Sequence, residues 1–474
     1  MTLPTQQLEA GKMPKIDLAV RGALWFGPIK GSGKPSEKGA AAAKSALKGG
    51  LSARGQQLKG QLVDVFVAKG KIMALAPAGS LDLRAAKEID ASGLVLLPSL
   101  TDVHVHLREP GQEYKEDIAS GLGAAAHGGF ANLMCMANTR PVNDTASVTE
   151  FMLEQARKGW PHGPRLFPIG ALTKGLKGQE LAPMAELAAA GCKAMSNDGR
   201  PVENSELFRR AMEYASDLGM IVIDHCEDPY LAPAAGMNEG EVSSRLGLPA
   251  QPDVAEAIQV ARDVLLAEYL NVPVHLAHIS CEKSVALIRF AKARGVDVTA
   301  ETCPHYLTLT EDEAAGYSAA AKVSPPLRTR ADVDALIDAL AEGVVDMLAT
   351  DHAPHAAHEK EVEFDAAPCG ISGLDTALSA TWELVRAGRL PFDAFVRAWT
   401  TAPCGRFALP VNTFAPGDPA DFVLFDQDAA WTVSAQTMHS KSKNTPLLGR
   451  SLRGRVAAHF LAGKMVIGGL VSGV

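Results

Sequence analysis

The sequence predicts an α/β protein: a metal-dependent (β/α)8 barrel of the TIM type carrying a small composite β-domain built from both chain ends. Three observations predict it. Short β-branched or apolar runs recur through residues 94–409, each meeting a histidine or aspartate at its exit, at spacings that leave room for helices. The flanks, 1–93 and 410–474, read as short strands with glycine turns. A chain of 474 residues exceeds one typical domain but suits a barrel of roughly 250 to 300 residues plus a smaller module.

In order, the first module holds strand-like KIDLAVRGALWF from Lys15, LVDVFVAKGKIMALA from Leu62 and AKEIDA from Ala86. Between them, residues 31–60 are rich in Gly, Ala, Ser and Lys and poor in large apolar side chains, so they cannot bury enough surface to offset their ordering entropy. A mobile insertion with no catalytic role is expected there. The uncharged run LVLLPSL, Leu94 to Leu100, predicts a strand buried on both faces, leading into DVHVHLREPG, Asp102 to Gly111. Helices follow from apolar residues at helical spacing in SELFRRAMEYASDLG and AEAIQVARDVLLAEYL. After Pro416, GDPADFVLFDQD and VAAHFLAGKMVIGG return to strands that rejoin the first module.

The chemistry starts at His104 and His106. Side chains at i and i+2 of a strand share a face, so the pair can grip one metal ion at a strand's carboxyl end, where α/β barrels place their chemistry. The same pattern recurs: His225 follows MIVID, His278 follows VPVHLA and Asp351 follows VVDMLAT. Buried imidazoles and carboxylates need partners, and a shared metal supplies them. A further ligand is expected from GCKAMSNDG. Asp198 is favoured there as a bridging carboxylate, although Asn-Asp-Gly is also a common turn; Lys193 would ligate only after carboxylation, because an ammonium group is all donor.

Zn2+ held by histidines and carboxylates with an open position lowers the pKa of its water to about 7, which suits hydrolysis of an amide. Asp351 beside that water would serve as general base and then general acid. Arg108, two residues past the ligands, offers a bidentate fork for an anionic substrate. His355, four residues after Asp351, either hydrogen-bonds the same substrate or is a loop histidine.

Composition narrows the classes. A formal charge of -8 with interspersed signs gives no basic patch for nucleic acid. Seven scattered cysteines form no C-x-x-C pair, as expected of reduced thiols. No apolar run reaches about 18 residues and no signal segment is evident, so a soluble cytoplasmic protein is expected. Neither a phosphate-cradling glycine loop nor a solenoid repeat occurs.

Seven motifs spread over residues 90–380 carry a family resemblance: DVHVHLREPG, ANTRPVND, NDGRPV, DHCED, HLAHIS, ETCPHYL and ATDHAPH. The chain resembles the dihydroorotases of the amidohydrolase superfamily, in the longer form of many bacteria. The Arg-Glu-Pro-Gly tail after the histidines is the most diagnostic part. The resemblance implies a barrel with a composite β-domain and one or two zinc ions. It makes His104 and His106 ligands of a first metal, His225 and His278 ligands of a second, Asp198 the bridge, and Asp351 both ligand and acid/base. Arg108, Asn138 and His355 would hold the substrate. Two departures stand out: Ser324 occupies the position of a substrate-contacting asparagine, and the loop usually read PFG is Pro368-Cys369-Gly370, whose backbone contact survives the change. Lys193 aligns with a lysine that other branches carboxylate. The implied reaction is the reversible hydrolysis of dihydroorotate to N-carbamoyl-aspartate in pyrimidine synthesis, with a homo-oligomer or association with aspartate transcarbamoylase open. The competing readings are a related cyclic amidase, such as an allantoinase or hydantoinase, and an inactive partner of aspartate transcarbamoylase.

Overall fold

In the computed structural model, the described residues are 15–27, 60–233 and 236–468, with the backbone alone at 52–53 and 56–57. Most of the expected insertion at 31–60 lies outside them; within it, Ser52–Ala53 pairs antiparallel with Gln56–Gln57.

Both ends of the described chain meet in one eight-stranded sheet. Its order runs Lys464–Gly468, Ser451–Leu461, Phe422–Thr432, Val95–Pro98, Ile16–Trp25, Gln61–Ala68 and Lys71–Pro77, with Ala85–Asp90 also paired to Ile16–Trp25. Val95–Pro98 is the seam. It runs antiparallel to Phe422–Thr432, with Leu96 opposite Leu424, and parallel to Ile16–Trp25, with Leu24 opposite Val95. Period-2 alternation explains the lack of charge there: Val95 and Leu97 pack into the barrel's core, while Leu96 joins Val20, Val65, Phe422 and Phe460 in the sheet's own core.

The run expected as one strand from Leu94 is therefore two. Ser99 donates its N–H to Asp421 O at 3.2 Å, and the next N–H, Leu100, turns to Gly129 O at 2.8 Å, opening the first barrel strand, Leu100–Val105. The barrel starts six residues later than the apolar pattern suggests, because the sheet claims Val95–Pro98.

Seven further parallel strands complete the barrel: Phe130–Cys135, Arg165–Pro168 continued by Gly170–Ala171, Ala194–Ser196, Ile221–Asp224, Val274–Leu276, Val298–Thr302 and Met347–Leu348. Closure is made where His106 N donates to His352 O at 2.8 Å. Inward residues of several strands, among them Val103, Met134, Ala194, Ile223 and Met347, form one buried cluster with Phe407 and Leu409. Arg406, just before that pair, reaches the Val274 carbonyl at 3.0 Å, so this segment covers the barrel's amino end. The outward residues Leu133, Cys135, Val222 and Leu276 pack under the helices.

The two helices read from spacing form. Ser205–Asp217 is capped by Asn204, whose Oδ1 accepts from Glu206 N and Leu207 N, and it buries Phe208, Ala211, Met212 and Ala215 at i, i+3, i+4 and i+7. Val254–Leu270 ends at Asn271, which sits left-handed with φ 54°. The segment after Thr432, expected within the β-domain, leaves the sheet to lie on the barrel mouth, where Ser440 donates to Glu116 and Asn444 donates to Ala353 O and Gly370 O.

Candidate active site

All six candidate ligands leave the carboxyl ends of barrel strands. His104 lies in the last turn of strand one and His106 just beyond it; Asp198, His225, His278 and Asp351 follow strands four, five, six and eight. All six are buried. Ligand atoms of His104, His106 and Asp198 fall within 4.8 Å of one another, and so do those of Asp198, His225 and His278. Asp198 belongs to both groups. Its Oδ1 lies 3.3 Å from His104 Nε2, 3.5 Å from His278 Nε2 and 3.6 Å from His225 Nδ1, while its Oδ2 lies 3.5 Å from His106 Nε2. Asp351 Oδ1 adjoins the first group, 3.0 Å from His106 Nε2 and 3.6 Å from His104 Nε2.

These groups fit a metal ion. His104 Nε2 and Asp198 Oδ1 are buried with no hydrogen-bond partner among the described residues, an arrangement that costs free energy unless a cation sits between them. Nitrogen and carboxylate donors of this kind suit a borderline divalent cation.

The histidines and carboxylates favour one another's charged forms. Burial pushes the Asp198 carboxyl upward, but the surrounding imidazoles, His104 foremost, outweigh it and hold the group well below the usual carboxylate range. Burial opposes charge on His225 too, yet Asp198 and Glu227 raise it to about 10. Asp351 is also held below its ordinary value against burial, chiefly by the His106 hydrogen bond.

A second layer fixes the ligands. His104 Nδ1 bonds Glu301 Oε1 at 2.7 Å, and the other oxygen of that carboxylate meets His275 Nε2 at 3.1 Å. Because His104 and His275 outweigh burial, Glu301 stays ionised with a pKa of about 2, so it accepts from Nδ1–H and turns Nε2 toward Asp198 Oδ1. His106 Nδ1 meets Asn138 Oδ1 at 2.9 Å, and Asn138 Nδ2 donates to Asp198 Oδ2 at 3.3 Å. Asp102 ties strand one to strand eight by accepting from His104 N, Thr350 N and Thr350 Oγ1; burial raises its pKa to about 7.

The cluster opens into a cavity of about 320 Å3 whose lining includes Arg108, Asn138, Ser324, His355, Cys369 and Gly370. Arg108 is 9% exposed and meets no carboxylate among the described residues; its Nε donates to Pro354 O at 3.1 Å. His355 Nε2 donates to Cys369 O at 2.9 Å, and Lys115 Nζ approaches its Nδ1 at 3.4 Å. Burial, then Arg108, Lys115 and Lys360, push the His355 pKa down to about 3, so the ring is neutral. Gly370 holds φ 146°, and a Cβ there would lie 2.6 Å from Ala353 O, so this close approach requires glycine. Its N–H already donates to Lys322 O, while Cys369 N–H meets no acceptor among the described residues. Ser324 Oγ donates to Glu227 Oε2 at 2.8 Å.

Lys193 falls outside the site. It is exposed and precedes strand four, whereas Asp198 follows that strand, so the barrel's length separates it from the cluster. A carboxylated lysine at 193 would not reach the other ligands. Sequence reasoning missed Glu301, Glu227 and Asn444. Glu301 ends the apolar run VTAET just as the histidines end theirs, and Glu227 stands two residues after His225, so both carried a readable signal. Asn444, which braces Ala353 and Gly370 while accepting from His355 N, carried none.

Known proteins share these features. The family model described as Dihydro-orotase-like matches residues 93–284. A dihydroorotase of Geobacter metallireducens is 47% identical over 86% of this chain and 95% of its own length, and one of Geotalea daltonii is 46% identical over 89% and 98%. The chain belongs to the dihydroorotase family. Among solved structures, the L-hydantoinase of Arthrobacter aurescens superposes with a TM-score of 0.79 at 22% identity, covering 97% of this chain and 98% of that one. A D-hydantoinase of a Thermus species gives 0.76, also at 22% identity, covering 96% and 97%. At such identities these two establish the barrel with its β-domain, not a substrate. The seven cysteines are all free, and no helix among the described residues is long and apolar enough to cross a membrane.

Proposed function

We propose that the protein is a zinc-dependent dihydroorotase that reversibly hydrolyses the cyclic amide of dihydroorotate to N-carbamoyl-aspartate, the ring step of pyrimidine synthesis. The observation that carries this reading is the placement of Arg108: a buried guanidinium with no carboxylate partner among the described residues lines the same cavity as the metal-type cluster. An isolated buried cation is costly, and an acid-bearing ring supplies its counter-charge.

In this reading His104 and His106 would hold a first zinc and His225 and His278 a second, with Asp198 available to both. Zinc bound there supplies Lewis acidity and a more acidic water. The chain's own residues do the rest. Arg108 orients the substrate carboxylate through a bidentate fork, with Asn138, neutral His355 and the Cys369–Gly370 backbone shaping the pocket. Asp351, ionised at neutral pH, takes the proton of the attacking water and returns it to the departing ring nitrogen. Ser324 retains a polar contact where a longer asparagine would stand.

Assays on dihydroorotate, hydantoin and allantoin test the reading. Turnover of dihydroorotate is expected to exceed the others, and to fall at least about 100-fold in Asp351→Asn with metal retained. Robust allantoin or hydantoin turnover with none on dihydroorotate would overturn it.

A further inference from the structure

We infer that Glu227, paired with Ser324, forms an acceptor wall in the cavity that recognises the uncleaved ring N–H of the substrate. This rests on the dihydroorotase reading above and assigns a specificity role to two residues that perform no bond cleavage.

Glu227 Oε2 accepts from Ser324 Oγ at 2.8 Å and from Gln251 Nε2 at 3.0 Å, and lies 3.6 Å from His225 Nε2. Its other oxygen, Oε1, accepts nothing from the described residues, although Glu227 lines the cavity and is 9% exposed. Two side-chain donors, Ser324 Oγ–H and Gln251 Nε2–H, converge on Oε2, so the group already serves as an acceptor, and a carboxylate oxygen such as Oε1 offers lone pairs. Ser324 has one hydroxyl proton, and Glu227 takes it, so toward the cavity Ser324 also presents only lone pairs. An asparagine at 324 would bring two amide donors to the same place. The departure from the family pattern thus converts a mixed wall into an acceptor wall.

Arg108 supplies the opposite character, because a guanidinium has donors and no acceptor. The cavity is therefore polarised, donor at Arg108 and acceptor at Glu227 and Ser324. A ligand matched to both carries a carboxylate and a separate N–H. A cyclic ureide acid has this pattern. One of its ring nitrogens belongs to the amide that breaks, and its proton balance is met by Asp351; the other keeps its N–H throughout and needs an acceptor. Leaving that donor unpaired in a buried pocket costs affinity in both ground and transition states, so its recognition appears in KM.

The experiment pairs Glu227→Gln with a ligand change. Wild type and variant are loaded with zinc, their metal content is measured, and each is assayed on dihydroorotate with the analogue methylated on the uncleaved nitrogen as competitive inhibitor. The expected results are unchanged metal content, a KM for dihydroorotate raised about tenfold with kcat within about threefold, and a methylation penalty of at least tenfold in wild type that shrinks to less than about threefold in the variant. Ser324→Asn is expected to lower the penalty partway, as a second variant should the first fold poorly. Equal methylation penalties in all three proteins would overturn the inference, as would zinc loss in Glu227→Gln that accounts for the whole activity change, which would mean that Glu227 acts only by steadying His225. Wild type that binds zinc yet fails to turn over dihydroorotate would instead overturn the functional reading, and this inference with it.

Discussion

The two halves of the ligand cluster are built differently. His104 and His106 come from one strand end, so the period of the strand sets their spacing, and each has its far nitrogen engaged: Glu301 at 2.7 Å for His104, Asn138 at 2.9 Å for His106. His225 and His278 come from two neighbouring strands and face each other, with His225 Nδ1 only 2.8 Å from His278 Nε2. That is hydrogen-bond distance, with the donor and acceptor set by the tautomers of the two rings. Tetrahedral zinc with bonds near 2.05 Å keeps its ligand nitrogens about 3.3 Å apart. To hold such an ion the second pair would have to open by roughly half an ångström, whereas His104 Nε2 has no hydrogen bond among the described residues to give up. Among the described residues, His278 Nδ1 has no partner, and the carboxylate beside His225 Nε2, Glu227, stands 3.6 Å away. The difference teaches that a strand pair with a buried carboxylate behind it is preorganised, and that the first half is expected to fill before the second.

The strongest way to break this comparison is to remove what the halves share. Asp198→Ala takes a ligand from both, and we expect loss of both metals and a fall in kcat/KM of about 1000-fold or more, read by metal analysis beside the assay. Retention of one metal at full affinity would show that the halves are independent. A sharper and smaller change is Glu301→Gln, which keeps the shape but lets an amide face His104 Nδ1. It should weaken the tighter metal 10- to 100-fold in a competitive chelator titration and leave the weaker one nearly unchanged. Equal weakening of both would deny the asymmetry. The smallest effect belongs to Lys193→Ala. That side chain is exposed at the far end of strand four, so metal content and turnover should stay within about twofold of wild type.

The sequence made the cluster legible because a strand exit leaves a local mark: an apolar run with a ligand-type residue at its end. His104, His106, His225, His278 and Asp351 all carry it, and Glu301 carries it too, though as a brace for His104. The barrel's beginning was less legible. LVLLPSL reads equally as a barrel strand or as a sheet strand between two cores, and only the pairing of Val95–Pro98 with Phe422–Thr432, more than three hundred positions away in sequence, decides it. Lys193 stood as an alternative to Asp198, the favoured bridge, for a related reason, since five positions in sequence become opposite ends of a strand once Ala194–Ser196 is extended. Asn444 was invisible because its role depends on a loop returning from the sheet to the barrel mouth. Gly111 shows the same limit: φ 92° and an added Cβ 1.8 Å from Arg140 O explain the glycine of Arg-Glu-Pro-Gly, but the neighbour is not readable from the motif.

The central claim is that the cluster holds zinc and that this centre opens the ring of an acid-bearing cyclic amide. Its most direct test strips the protein with a chelator, returns zinc stepwise, and follows dihydroorotate hydrolysis against bound metal per chain. The account predicts negligible turnover without metal, recovery as the first equivalent binds, and saturation by the second. Full turnover in protein verified to be metal-free, or a zinc-loaded protein that leaves dihydroorotate intact, would contradict it.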